Sequence, residues 1–193
     1  MNTLFPIYVK MDEIQTLVVG AGPVGLEKLQ AIYRNSPYAN VHVVAAQVSD
    51  EVYEFAENIP SLFISNRSFA PNDLDSKDLI ILATNNAELN DEIRILARER
   101  HILLNVADKP DLCDFYLGSV VQKGNLKIGI STNGKSPTIA KRLKDFFNEV
   151  LPEEIDETLE LMQTMRNQLK GDLQEKIKTL NAHTEDLVSS KKL

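Results

Sequence analysis

The chain has 193 residues, 43% of them hydrophobic, and carries a formal net charge of −7. That length and apolar share suit one buried core with room for an appendage. The negative balance excludes general nucleic-acid binding, and the absence of a long uninterrupted apolar run excludes an expected membrane span.

At the N-terminus, "MNTLFPIYVK" lacks a basic region followed by a long apolar segment, so no secretory signal is expected. Cys113 is the only cysteine, which rules out an internal disulfide and fits a reducing, cytoplasmic setting. "IQTLVVG" (14–20) reads as a short buried strand. "PVGLEKLQAIYRNS" follows with Val24, Leu29, Ile32 and Tyr33 at helical spacing. "ANVHVVAA" (39–46) is a second, β-branched strand, after which Ser49 suits the N-cap of a short helix carrying Val52, Phe55 and Ala56. "SLFIS" (61–65) and "KDLIILAT" (77–84) are further strands, "ELNDEIRILARER" (88–100) an amphipathic helix, and "HILLNVA" (101–107) a fifth strand. Continuously apolar strands alternating with helices predict an α/β fold with a parallel sheet covered on both faces.

The grammar changes after residue 115. Two strands, 117–122 and 126–131, joined by Lys123-Gly124-Asn125, predict a hairpin. "SPTIAKRLKDFFNEVL" predicts a helix with Ile139, Leu143, Phe146, Phe147 and Val150 on one side, interrupted by Pro152. Beyond it, Ile155, Leu159, Met162, Leu169, Leu173, Ile177 and Leu180 recur by threes and fours as a helix-packing face, with Gly171 dividing it into two helices. The expected organisation is therefore 1–114, 115–150 and 151–193.

"VVGAGPVG" places Gly20, Gly22 and Gly25 in G-x-G-x-x-G spacing between a strand and a helix. The first glycine permits a tight turn, the second lets backbone approach a pyrophosphate, and the third lets helix pack on strand. Pro23 suits the first helical turn, and the free N–H groups there, including that of Val24, favour an anion. A dinucleotide is the expected ligand. The second strand does not end in the acid that holds adenosine ribose in this fingerprint; Ala46 and Gln47 stand there instead. With no Arg or Lys immediately after them to receive a 2′-phosphate, NAD is expected rather than NADP. Thr84 and Asn85, at the end of the fourth strand, are placed to contact the cofactor; Asn86 reads equally as a cap for the next helix.

In order, "LFPIYVKM" (read as an N-terminal strand), "LVVGAGPVGLEK", "ATNNAELN", "NVADKPDLCDF" and "ISTNGKSPTIAKRLK" resemble the precorrin-2 dehydrogenase/sirohydrochlorin ferrochelatase family of siroheme biosynthesis, over residues 3–150. The resemblance implies a Rossmann domain, then a dimerisation segment at 115–150 and a small C-terminal helical domain. It implies a homodimer that oxidises the tetrapyrrole precorrin-2 to sirohydrochlorin with NAD⁺ and, in the family's second activity, inserts Fe²⁺. Methylation would belong to another protein. The chain departs from the family pattern at Gly25-Leu26-Glu27-Lys28, which keeps one base of a pair, and at Ser131-Thr132-Asn133-Gly134-Lys135-Ser136-Pro137.

On the residues alone, Asp108 before Lys109-Pro110 shapes a turn. The resemblance implies instead a carboxylate at the crevice, half-buried among apolar walls, taking protons from the tetrapyrrole. An acidic protein binding a polycarboxylate needs local cations. Lys135, Lys141, Arg142 and Lys144 cluster at the start of one helix, with Lys109 and Lys123 as further candidates. Ser131, Thr132, Asn133, Lys135, Ser136 and Arg142 are the expected substrate contacts, helped by free N–H groups at the Ser136-Pro137 helix start. A solvated helix face would explain the same charges. His42, His101 and His183 lack metal-ligand spacing, so no metal site is expected. Cys113 reads as a packing residue, and Asp111 and Asp114 as a solvated turn. The alternative function is an NAD(H)-sensing regulatory module without catalysis.

Overall fold

The computed structural model describes residues 2–169 and 177–178. The expected break at Gly171, together with Leu173, Leu180 and His183, lies outside the described residues. The chain divides between Gly118 and Ser119 into two compact units.

The first unit is built on β1 (Gln15–Ala21), β2 (Asn40–Val48), β3 (Leu62–Asn66), β4 (Leu79–Leu82) and β5 (Leu103–Val106), with α1 (Pro23–Asn35), α2 (Asp50–Ala56) and α3 (Ala87–Glu99) between them. The strands form one sheet in the order β3-β2-β1-β4-β5, every pair parallel. Both faces are buried, which is why the strands read as continuous apolar runs. Val18, Val43 and Ile81 pack with Leu29, Ile32 and Tyr33 of α1 and Val52 of α2 on one face. Leu17, Val19, Val44, Ile80 and Leu82 pack with Ile93 and Ala97 of α3 on the other. Leu17, Leu29, Ile80, Ile81 and Ile93 are fully enclosed, each contributing about 2 kcal/mol by leaving water. The strand order reverses between β1 and β4, so a crevice opens at their carboxyl ends.

Strand β5 lies at an edge, and an edge offers unpaired backbone groups. Here the chain returns along it. After the short 3₁₀ turn Pro110–Leu112, the Asp114 N–H donates to Leu104 O at 2.7 Å, and Asp114 Oδ2 accepts from Leu104 N at 2.9 Å. Cys113 Sγ accepts from Val106 N at 3.2 Å and donates to Val106 O at 3.3 Å. Burial pushes this thiol's pKa up, which keeps the donating proton in place. Asn105 Nδ2 adds a bond to Phe115 O at 2.8 Å. Residues 113–115 thus finish the sheet with one backbone bond and several side-chain bonds where a further strand would use backbone throughout. Asp114 is therefore not the freely solvated turn residue expected, and Cys113 binds backbone as well as filling space.

A second correction concerns the N-terminus. Residues 2–10 form no strand. Pro6 withholds a backbone donor, and Phe5, Ile7 and Tyr8 are exposed; apolar alternation without a pairing edge does not make a strand. At Ser49, the residue does occupy the N-cap of α2, but its side chain makes no capping bond there.

The second unit contains the antiparallel hairpin β6 (Ser119–Lys123) and β7 (Leu126–Ile130), then α4 (Pro137–Val150) and α5 (Ile155–Gln168). The hairpin turn is held from α5. Asp156 Oδ1 accepts from Asn125 N at 2.7 Å and Asn125 Nδ2 at 3.0 Å. Ile139, Leu143, Phe146 and Val150, the predicted apolar side of α4, are exposed in the single chain.

Replacing Asp114 with Ala orphans the Leu104 N–H at the sheet edge. The expected loss is about 1 kcal/mol of unfolding free energy by urea titration. An unchanged midpoint would show that the returning segment does not support β5.

Candidate functional site

A cavity of about 720 Å³ opens at the carboxyl ends of β1, β2 and β4, lined among others by Gly20, Gly22, Ala46, Gln47, Thr84 and Asn86. No charged side chain lines it. An anion bound here would meet neutral donors only, hydroxyls, side-chain amides and backbone N–H groups.

The glycine turn supplies the backbone N–H groups. Gly20 has φ +105°, a left-handed conformation that favours glycine, and it interrupts the β1–β2 register between Val19 and Ala21. A Cβ built on Gly20 would stand 2.4 Å from Ala83 O, and one on Gly25 would stand 2.4 Å from Gly20 O. These two glycines are required by the protein's own packing. Gly22 differs: a Cβ there would meet nothing within 4 Å. Its bareness serves no internal contact and leaves a cradle open to a ligand. α1 begins beside it with Gly22 at the N-cap, Pro23 next and no acidic residue in its first turn. The first helical bond runs from Leu26 N to Gly22 O at 2.9 Å, so the N–H groups of Val24 and Gly25 precede the helix ladder and are free of it. The positive end of the helix dipole adds to them. Pyrophosphate fits these residues.

Asn86 fills the capping role and also stands at the cavity. Its Oδ1 caps α3 by accepting from Leu89 N at 3.1 Å, and the residue lines the cavity. The turn is braced by Asn90, 2% exposed, whose Nδ2 donates to Thr84 O at 3.0 Å. Asn85 is exposed and stands outside the lining, as do Pro23, Val24 and Gly25.

Sequence reading missed Ser49, Ser68, Phe69 and Leu89, which also line the cavity. Ser68 and Phe69 follow β3, more than forty positions along the chain from the glycine turn, and no local pattern marks them. Asn66, whose Nδ2 donates to Ala45 O at 3.1 Å and Ala46 O at 3.2 Å, fixes that loop against the end of β2.

Asp108 follows β5 at φ +59°, a conformation that Asp and Asn tolerate better than most residues. The expected half-burial is corrected: Asp108 is exposed, and it is not among the cavity's lining residues. Lys109-Pro110 turns the chain back toward the β5 edge, leaving the carboxylate outside the folded-back segment.

In the second unit, Ser131, Asn133, Lys135 and Ser136 lie in the loop before α4, with Asn133 at φ +55° and Gly134 at φ +73°. The expectation of free N–H groups is corrected in part. Asn133 N donates to Ser131 Oγ at 3.2 Å, Ser136 N to Thr132 Oγ1 at 3.1 Å and Ile139 N to Ser136 Oγ at 3.2 Å. Lys135 N bonds Thr132 O at 3.1 Å. The loop therefore braces itself, and the cations offered outward are side chains: Lys135 in the loop and Lys141 and Arg142 on α4 are exposed. Lys123 is no free cation. Its Nζ donates to Leu151 O at 2.7 Å and pairs with Glu153. His42, on β2, bonds Ser65 Oγ at 2.9 Å. Among the described residues no group of three metal-binding side chains is clustered, and no helix is long and apolar enough to cross a membrane.

Residues 7–119 match the family described as "Putative NAD(P)-binding", and residues 123–148 match "Sirohaem biosynthesis protein central". The chain is 34% identical over 171 residues to a siroheme synthase of Vesicomyosocius okutanii, covering 89% of this chain and 36% of that one. It is 33% identical over 165 residues to the siroheme synthase of Baumannia cicadellinicola, covering 86% and 35%. It thus spans about a third of the length of these relatives. Among solved structures, "SirC, precorrin-2 dehydrogenase" shares the fold, with a TM-score of 0.74 and 21% identity over 97% of this chain and 93% of that one.

The contrast between the glycines is testable. Gly22→Ala should leave the unfolding temperature nearly unchanged and weaken NAD⁺ binding, read by calorimetry, by at least about tenfold. Gly20→Ala should destabilise the fold by about 3 kcal/mol. Equal effects of both on stability would contradict the assignment of Gly22 to a ligand.

Proposed function

The chain belongs to the NAD(P)-binding family that its residues 7–119 match and is similar to about a third of the length of siroheme synthases, and from this premise we propose that it oxidises precorrin-2 to sirohydrochlorin with NAD⁺. The observation that carries the proposal is the uncharged cavity lined in part by the glycine turn, with Gly22 bare toward open space. When bound, the nicotinamide supplies the hydride acceptor.

The protein's own groups do the remainder. Val24 and Gly25 N–H groups hold the pyrophosphate, Pro23 sets the helix start, and Gln47 bonds the adenosine ribose where the usual acid is missing. Thr84 and Asn85 bound the crevice on the β4 side. Asp108 is the catalytic base: its carboxylate takes a proton that the tetrapyrrole loses as the hydride leaves. In a parallel sheet the carboxyl end of β5 shares the crevice edge with β1 and β4, which supports that role. Exposure leaves the carboxylate within reach of a large substrate. Ser131, Thr132, Asn133, Lys135, Ser136 and Arg142 hold substrate carboxylates, with Lys135 and Arg142 supplying the charge.

The finer organisation follows the same reading. Residues 1–114 bind nucleotide and 115–150 mediate homodimerisation through the exposed face of α4; of the expected helical domain at 151–193, residues 170–176 and 179–193 lie outside the described residues. The enzyme acts in the cytoplasm, and Fe²⁺ insertion into sirohydrochlorin is a second activity at the same substrate site.

The protein incubated with precorrin-2 and NAD⁺ should form NADH, followed at 340 nm. Asp108→Ala should lower the rate on the order of 100-fold while NAD⁺ still binds. A native protein that binds NAD⁺ but forms no NADH with precorrin-2 would remove the dehydrogenase assignment.

A further inference from the structure

Although no charged side chain lines the nucleotide cavity, a guanidinium lies at its rim. Arg67 stands between Asn66, which bonds the backbone of Ala45 and Ala46, and Ser68, a lining residue. Its Nη1 donates to Ser68 O at 3.0 Å, so the charged head is hydrogen-bonded to a residue of the cavity lining. Ala46 and Gln47, across that wall, occupy the positions where a dinucleotide's adenosine ribose is read. A cation so placed would ordinarily receive the 2′-phosphate of NADP⁺.

Here it is already engaged. Nη1 donates to Asp73 Oδ2 at 2.8 Å and Nη2 to Asp73 Oδ1 at 2.6 Å, a two-pronged pair. Asp73 is buried, and its Oδ2 also accepts from Ala70 N at 2.8 Å. The Arg67 bonds hold the Asp73 carboxyl below the usual carboxylate range, against the opposing effect of burial. Withdrawing the guanidinium would strand a buried negative charge, which is costly. Both Nη1–H donors and one Nη2–H are engaged, by Ser68 O and the Asp73 carboxylate, and the pair's net charge is near zero. It offers a second anion little.

We infer that Asp73 is a positioning residue for cofactor specificity: by holding Arg67 in a two-pronged pair, it withholds the rim guanidinium from a 2′-phosphate and so sets the preference for NAD⁺ over NADP⁺. The inference rests on the dinucleotide reading above and adds to it the residue that selects between the two nucleotides. The sequence shows only that no basic residue follows Gln47 directly. Arg67 itself has the chemistry of an NADP site, and the fold disarms it.

Calorimetric titration of NAD⁺ and NADP⁺ into the native protein, Asp73→Asn, Arg67→Gln and the double variant tests this. Asn keeps the shape and an acceptor for Ala70 N while removing the charge. The expected results are NAD⁺ preferred by the native protein, a roughly tenfold gain in NADP⁺ affinity for Asp73→Asn with NAD⁺ little changed, and loss of that gain in the double variant. A merely structural role for Asp73 would weaken both nucleotides together. Unchanged NADP⁺ affinity in a folded Asp73→Asn, or a gain that persists without Arg67, overturns the inference. Should Asp73→Asn fail to fold, Arg67→Gln decides: an unchanged affinity ratio supports the inference, and a selective loss of NADP⁺ binding overturns it, because Arg67 would then already serve the phosphate. A native protein that binds neither nucleotide overturns the dinucleotide reading itself, and this inference with it.

Discussion

The close approach of the β1–α1 turn to the end of β4 governs the arrangement of the first unit. Gly20, in a left-handed conformation, allows its backbone to pass the Ala83 carbonyl at a distance that no side chain would permit. Gly25 then lets α1 settle against Gly20 itself. These two contacts sit where the strand order reverses, so they decide how near the helix start comes to the crevice. Gly22, flanked by both, is free of such demands and presents its backbone outward. One turn therefore holds two glycines that the packing requires and one that it does not.

The two sheet edges are treated differently, and each treatment serves the site. At β5, residues 113–115 satisfy the outer backbone groups through a carboxylate, a thiol and a backbone amide. The result is a fixed return path that leaves Asp108 exposed at the carboxyl end of the sheet. At β3, Asn66 bonds the end of β2, and Arg67 and Asp73 lock the following loop. That loop carries Ser68 and Phe69 into the cavity lining. Polar side chains thus do the precise positioning around a cavity whose own lining is uncharged.

Much of this was legible in the residues, for identifiable reasons. The five parallel strands and their helices follow from apolar runs and helical spacing, which are local signals, and the structure puts every one of them within a few residues of its expected bounds. The glycine turn was legible because its spacing encodes a backbone geometry. The N-terminal strand was misread because strand formation needs a partner edge, which apolar content cannot reveal. The half-burial of Asp108 was misjudged because the turn at Lys109-Pro110 leads the chain away from the carboxylate. Lys123 looked like a substrate cation until its bonds to Leu151 and Glu153, some thirty positions along, were seen. Ser68, Phe69 and the Arg67–Asp73 pair depend on contacts between segments distant in sequence or on loop geometry, and no periodicity announces them.

The central claim is that a dinucleotide seats its pyrophosphate on the backbone between Gly22 and Gly25. Amide chemical shifts followed by ¹H–¹⁵N NMR during titration with NAD⁺ examine it at the residues concerned. The account predicts saturable shifts at Gly22, Val24 and Gly25, accompanied by Ala46, Gln47 and Ser68. Saturable shifts confined to other parts of the chain, with the glycine-turn amides unmoved, would contradict it.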